Sequence, residues 1–353
     1  MIKEGLWTRI IREVLSIVLI MSILLLITVI LITAVGSDVS NAFSSFFRGI
    51  FGSLYGFSEV LVRATPLILA ALGVSVGFRT GFFNIGAEGQ IYIGAAAATA
   101  TGFLFSSLPA FLLVPAVIIA GFLAGGFWSM IPGFLKARFG LSEVINTIMF
   151  NYIAINIVGI LVRTVLKDPE YPLPMSPEIP AAMKLAQFLY PTRLHTGFFI
   201  ALGSVGFLYF LLWKTFAGYK LRAVGLNPRA SLCAGISVNR NILIAAILSG
   251  GFAGIAGAVE IAGIHHKLLE GFSPGFGYVA IIIALLGNNH PLGILFSGIG
   301  IAALQIGSMT MQRQAGVPAS ISWIIMGILV LLILGRRILI AYIFSGKSGR
   351  VLS

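Results

Sequence analysis

Three polar side chains, Asn84, Glu88 and Gln90, stand close together within the otherwise apolar stretch 83–90. Charged and amide side chains at membrane depth are costly and by default indicate a functional site. The glycines between them permit a broken helix, whose free backbone groups can face a cavity. The segment therefore predicts a polar path for a small solute. The alternative is structural: Glu88 caps a helix start or pairs with Arg79.

A second group of amides, Asn146, Asn151 and Asn156, recurs in steps of five along one apolar segment. Ser142 precedes the segment as a predicted helix cap, and Glu143 falls in the first turn, where an acidic side chain is favourable. Amides inside a membrane helix usually form hydrogen bonds between helices. Asn146 and Asn151 are also predicted candidates for the lining of the solute path.

The basic segment 214–240 predicts a short helix over 228–234. Asn227 is its predicted cap, a proline occupies the first helical position, and Gly235 ends it. Small residues such as Ala230 would let this helix dock into the groove of a partner protein. The alternative is a plain connector between two membrane crossings.

The elements that position these residues follow from composition. The chain of 353 residues is 58% hydrophobic and 10% charged, with a mean hydropathy of +1.03, whereas soluble domains carry about 25% charged residues. Most of its surface must therefore face hydrocarbon, where only helices and closed barrels satisfy the backbone. Continuous apolar blocks, in place of the alternation of barrel strands, predict an all-α, polytopic membrane bundle.

Ten crossings are predicted, some of them short or broken. Basic residues concentrate in loops on one side, which predicts that both termini lie in the cytoplasm and that the proline-rich segment 163–196 is external. The net charge of +12 is thereby explained without nucleic acid. The predicted crossings are about 14–35, 59–77, 89–106, 110–132, 143–162, 197–213, 241–262, 278–287, 292–308 and 321–335.

Catalytic and metal-binding motifs are missing from the sequence. It contains no Walker loop and no His-Glu-x-x-His pair. His265 and His266 are adjacent, which on a helix would point them in different directions, and no acidic partner stands at metal spacing. The lone Cys233 excludes a cysteine cluster. We expect neither an enzyme nor a metal site, so any ATP hydrolysis would belong to another chain.

Three motifs together resemble one family of binding-protein-dependent permeases, which serves ribose, branched-chain amino acids and nucleosides. The basic segment is similar to the cytoplasmic loop of that family. The stretch 83–90 looks like the signature of its nucleoside, or simple-sugar, branch, and the segment after Glu143 resembles the next motif. The matching positions in the basic segment are Arg222, Ala223, Val224, Gly225, Asn227, Ala230, Gly235 and Ile236.

This resemblance implies a single transmembrane permease domain over 1–353, similar to type II importers of the ATP-binding-cassette (ABC) class, in the cytoplasmic membrane. It implies a cytoplasmic ATPase that binds ATP and magnesium, a second paralogous permease, an external substrate-binding lipoprotein and no cofactor in this chain. The residues it assigns to ATPase coupling are Arg222, Gly225, Asn227, Ala230 and Gly235.

The function that the resemblance implies is import of a small polar solute, most simply a nucleoside, by alternating access. A sugar permease is the first alternative. An ion-coupled secondary transporter is the second, and it would need intramembrane acids, for which only Glu88 and Glu260 are placed. An intramembrane enzyme lacks a nucleophile or a metal constellation.

Overall fold

The computed structural model describes residues 6–318 and 320–335, and within them the regular structure is helical. This confirms the all-α prediction. The helices are α1 (Leu6–Ala34), α2 (Val39–Phe51), α3 (Leu54–Thr80), α4 (Ala87–Leu104), α5 (Ala110–Phe139), α6 (Glu143–Arg163), α7 (Gly197–Lys214), α8 (Phe216–Leu226), α9 (Pro228–Cys233), α10 (Val238–Glu260), α11 (Phe276–Leu286), α12 (Pro291–Ala315) and α13 (Ser320–Leu334).

Each of the ten predicted crossings falls on a helix, but fewer helices meet the length and polarity of a full span. Among the described residues, six are long and apolar enough: α3, α5, α6, α7, α10 and α12. Helices α1 and α2 together meet the same criteria and would count as a seventh span, although the chain bends by 117° between them. Helix α11 is short, and α4 carries Glu88 and Gln90. The predicted bundle of about ten crossings, some of them short or broken, agrees with this set of helices.

The chain divides into two compact units, one formed by its two ends and the other by residues 57–302. In the first unit, an apolar cluster that includes Ile32, Met311 and Ile325 joins α1 to the end of α12 and to α13. The single domain over 1–353 stays a prediction. The terminal charges on which the orientation partly depends, residues 1–5 and 336–353, lie outside the described residues.

Closely packed glycines hold the second unit together. Helix α10 contacts α4 and α5: a Cβ on its Gly254 would overlap the backbone of Gly121 in α5, and a Cβ on Gly94 in α4 would overlap the backbone of Gly254. Small residues let helix backbones approach in lipid, where no hydrophobic force drives helices together. The glycine-rich stretches 120–126 and 250–258 therefore pack closely against each other.

Replacing Gly254 by alanine is expected to destabilise the protein by about 2 kcal/mol, because the added methyl group overpacks a backbone contact. The matched control is Gly203→Ala in α7, where a Cβ would meet nothing within 4 Å. There the better helix propensity of alanine makes the change neutral or slightly stabilising. Thermal unfolding of both variants in detergent measures the difference, and equal midpoints would contradict the close α5–α10 contact.

Candidate functional site

The break between α3 and α4 is built around Asn84, whose side chain is fully buried. Its Nδ2 donates to Gln90 Oε1 and to Ser249 Oγ, both at 2.8 Å. Its Oδ1 accepts from the Gly86 amide at 2.9 Å and from Gln90 Nε2 at 3.0 Å. One amide thus fixes the non-helical turn to the start of α4 and to α10.

Helix α6 supports the same break from the other side. Asn151, also fully buried, accepts from the Gly89 amide at 2.8 Å and donates to the Ile85 carbonyl at 2.9 Å. Thr147 Oγ1 accepts from the Ile85 amide at 3.2 Å. The predicted hydrogen bonds between helices are confirmed for Asn151. Asn156 instead donates to the Tyr152 carbonyl within its own helix.

Glu88 connects α4 to α11. Its side chain is 3% exposed, and Oε2 accepts from the Gly277 amide at 2.7 Å, in the first turn of α11. A carboxylate is favourable at a helix N-terminus, where amides are unpaired and the helix dipole is positive. The alternative that Glu88 caps a helix start is confirmed, and the helix is α11, which lies far along the chain. The pairing with Arg79 is wrong, because Arg79 donates to the Asn288 and Asn289 carbonyls.

Four of the five predicted path residues are thus buried and hydrogen-bonded around the start of α4, with Glu88 bonded to α11 rather than to the amides: Asn84, Glu88, Gln90 and Asn151. Asn146 is separate, and its Nδ2 is buried without a hydrogen-bond partner. Solute contact by these side chains stays a prediction. Sequence reasoning missed Ser249, because a serine beside two glycines reads only as a small packing residue.

The segment α8–α9, taken as residues 216–235, contains the five residues assigned to coupling. Asn227 caps α9 as predicted, since its Oδ1 accepts from the Ala230 amide at 3.0 Å, and Gly235 ends the turn with a φ of +75°. Helix α8 was not predicted. A cleft of about 550 Å³ opens between the two helices, and Arg222, Asn227 and Ala230 border it.

Gly225 places this segment directly against the end of α3. A Cβ on Gly225 would overlap the carbonyl oxygen of Arg79, so only glycine permits this approach. Arg79 lies one residue before the last residue of α3, and the break held by Asn84 follows at once. The Gly225 backbone therefore contacts the end of α3 just before the turn that leads into α4.

A hydrogen-bonded layer at the C-terminal end of α10 is formed by residues 164–196 and 261–275. We call this layer the loop cap. The Ser176 and Ile179 amides donate to the Leu268 and His266 carbonyls, each at 2.9 Å. Arg163 forms a bidentate ion pair with Glu270. The first segment has only a short 3₁₀ turn, as its proline content predicted, but its pairing with the second was not foreseen.

We expect opening of the loop cap to depend on pH through His195. Its ring is 1% exposed and fits beside Gly263 and Gly197, and burial lowers its pKa to about 4. An opened cap would return that pKa to about 6.5. Because the open form then binds more protons, lowering the pH from 7.5 to 5.5 should raise the open population about tenfold.

Hydrogen exchange at the Leu185 and Thr196 amides, corrected for the intrinsic pH effect, measures this opening. Burial also lowers the pKa of His266 in the same cap. The variant His266→Gln should therefore keep the part of the pH-dependent opening that His195 causes, whereas His195→Gln should lose that part. An unchanged pH dependence in His195→Gln would contradict the assignment.

Several known proteins similar to the chain are permease proteins of ABC transporters. It is 39% identical over 301 residues to the guanosine ABC transporter permease protein NupP of Bacillus subtilis (84% of this chain, 86% of the relative). It is 34% identical to the glucose ABC transporter permease protein TsgB13 of Haloferax volcanii (86% and 82%) and 30% identical to the nucleoside ABC transporter permease protein NupB of Lactococcus lactis (87% and 86%). A second guanosine permease protein of Bacillus subtilis, NupQ, is 27% identical (67% and 76%).

No solved structure gives a significant match. The family described as "Branched-chain amino acid transport system / permease component" matches residues 56–334, which include the break, the segment α8–α9 and the loop cap. With its apolar spans, the chain is a multi-pass membrane protein and a transport subunit rather than an enzyme. It belongs to this family of permease components.

Proposed function

We propose that this chain is the permease subunit of an ABC importer that moves nucleosides across the cytoplasmic membrane by alternating access. The observation that carries the mechanism is the contact between Gly225 and the end of α3. Through it, a movement imposed on α9 by an ATPase would reach the broken helix at Asn84. The permease itself would carry out no covalent chemistry.

Nucleosides are the favoured solutes because NupP and NupB carry guanosine and nucleoside in their names, at 39% and 30% identity. The 34% identity to a glucose permease makes a sugar the second candidate. Buried amides of the kind found at Asn84, Gln90 and Asn151 could pair with either solute, so the choice depends on the relatives.

The proposed complex contains four kinds of subunit. A cytoplasmic ATPase, which binds ATP and magnesium, would dock at α9 and its cleft. A second, paralogous permease would complete the pathway, as the presence of both NupP and NupQ in Bacillus subtilis suggests. A substrate-binding lipoprotein would dock on the loop cap. This arrangement puts α8–α9 and both termini in the cytoplasm and the loop cap outside.

The test is ATP hydrolysis by the reconstituted complex with its binding protein, measured against guanosine, other nucleosides and glucose. We expect nucleosides to stimulate hydrolysis and glucose to leave it at the basal rate. Stimulation by glucose alone would move the chain to the sugar branch. Uptake driven by an ion gradient without ATP would overturn the importer assignment.

A further inference from the structure

Beside the break, four side chains surround the indole ring of Trp213 in the last turn of α7. The Arg79 guanidinium lies 4.6 Å from the ring centroid and the Arg222 guanidinium 5.7 Å from it. The His290 ring lies at 4.6 Å and the Tyr209 ring at 5.8 Å. We call these residues the Trp213 cluster.

The cluster carries positive charge that the described part of the chain does not neutralise. Within residues 6–318 and 320–335, the ion pairs to acidic side chains leave out both Arg79 and Arg222. Cation–π contacts are individually weak and do not offset the repulsion between two cations. Two guanidinium groups on one ring therefore favour an anion nearby.

An unpaired donor points to the same conclusion. Arg222 Nε is buried and has no hydrogen-bond partner, although such groups are normally paired. Arg79, by contrast, has two of its donors engaged by the Asn288 and Asn289 carbonyls, which fixes its position. One arginine is thus held rigidly, and the other has a donor available close by.

We propose that the Trp213 cluster binds a phosphate group. Guanidinium donors match the geometry of phosphate oxygens, and arginine is preferred for this role. The position favours a lipid headgroup, because tryptophan and tyrosine at the end of a span mark the membrane interface and basic pockets there bind anionic headgroups. Phosphate free in solution has the same chemistry. The site is independent of which solute is transported.

The experiment uses the full chain in nanodiscs, with W7F, W128F and W323F leaving Trp213 as its only tryptophan. Brominated phosphatidylglycerol is titrated against brominated phosphatidylcholine, and quenching of Trp213 fluorescence is recorded. We expect the anionic lipid to reach half-quenching at about a tenfold lower mole fraction. The proposal is overturned if the two lipids quench Trp213 equally and inorganic phosphate does not change its emission. This measurement needs no arginine variant.

The arginine variants then localise the site. R79Q/R222Q should remove the preference for phosphatidylglycerol, whereas R79K/R222K should retain part of it. The control K214Q/R229Q removes the same charge from exposed residues of α7 and α9 and should keep the preference. A preference that survives in R79Q/R222Q overturns the proposal.

Inorganic phosphate, added to nanodiscs of phosphatidylcholine alone, separates the two sources. No change in Trp213 emission, together with a preference for phosphatidylglycerol, assigns the phosphate to lipid. A saturable change that R79Q/R222Q abolishes, without a lipid preference, supports the site and assigns it to soluble phosphate.

Discussion

Replacing Gly225 by valine should lower nucleoside-stimulated ATP hydrolysis by the assembled transporter at least about tenfold. The new side chain would overlap the Arg79 carbonyl and push α8 away from the end of α3. Overpacking of this kind costs about 1–3 kcal/mol, and 1.4 kcal/mol corresponds to a factor of ten. Basal and stimulated hydrolysis of the reconstituted complex give the ratio.

Gly206→Val in α7 is the matched control, because a Cβ there meets nothing within 4 Å. Both variants should assemble with the ATPase, which co-purification verifies, and only Gly225→Val should lose stimulation. Full stimulation in Gly225→Val would show that the contact with α3 does not transmit the movement. If nucleosides do not stimulate ATP hydrolysis even by the wild-type complex, the assignment of nucleosides as the solutes is wrong. The contact between Gly225 and α3 must then be tested with a solute that does stimulate hydrolysis.

Replacing Asn84 by alanine should lower the free energy of unfolding by about 3 kcal/mol. The change leaves the Gly86 amide, the Gln90 side chain and the Ser249 hydroxyl without their buried partner, and each loss costs about 1 kcal/mol or more. Thermal or denaturant unfolding of the purified chain in detergent measures the effect. The broken turn should then lose its fixed conformation.

Asn156→Ala is the matched control for this prediction. Asn156 is exposed and hydrogen-bonds only within its own helix, so its replacement should change stability by less than about 0.5 kcal/mol. A stable Asn84→Ala protein would contradict the structural role of the network. Retained stability with lost nucleoside stimulation would instead support the predicted role of Asn84 in the solute path.

Local signals in the sequence determined the helices and several of their ends. Apolar blocks set the fold class because hydrocarbon admits few other structures. Asn227, Pro228 and Gly235 located α9, because capping and left-handed turns depend on adjacent residues. The polarity of 83–90 located the break between α3 and α4 for the same reason.

Only the tertiary structure decided which distant groups these residues meet. Glu88 caps a helix whose first turn lies 189 residues further along the chain, and Gly225 contacts the end of α3. The number of full spans also depended on where helices bend or stop. The spacing of residues along the chain determines which side chains meet within a few turns of one helix. Contacts between helices depend instead on which helix backbones come close to one another. Glycines allow that approach, but their positions alone do not specify the partner.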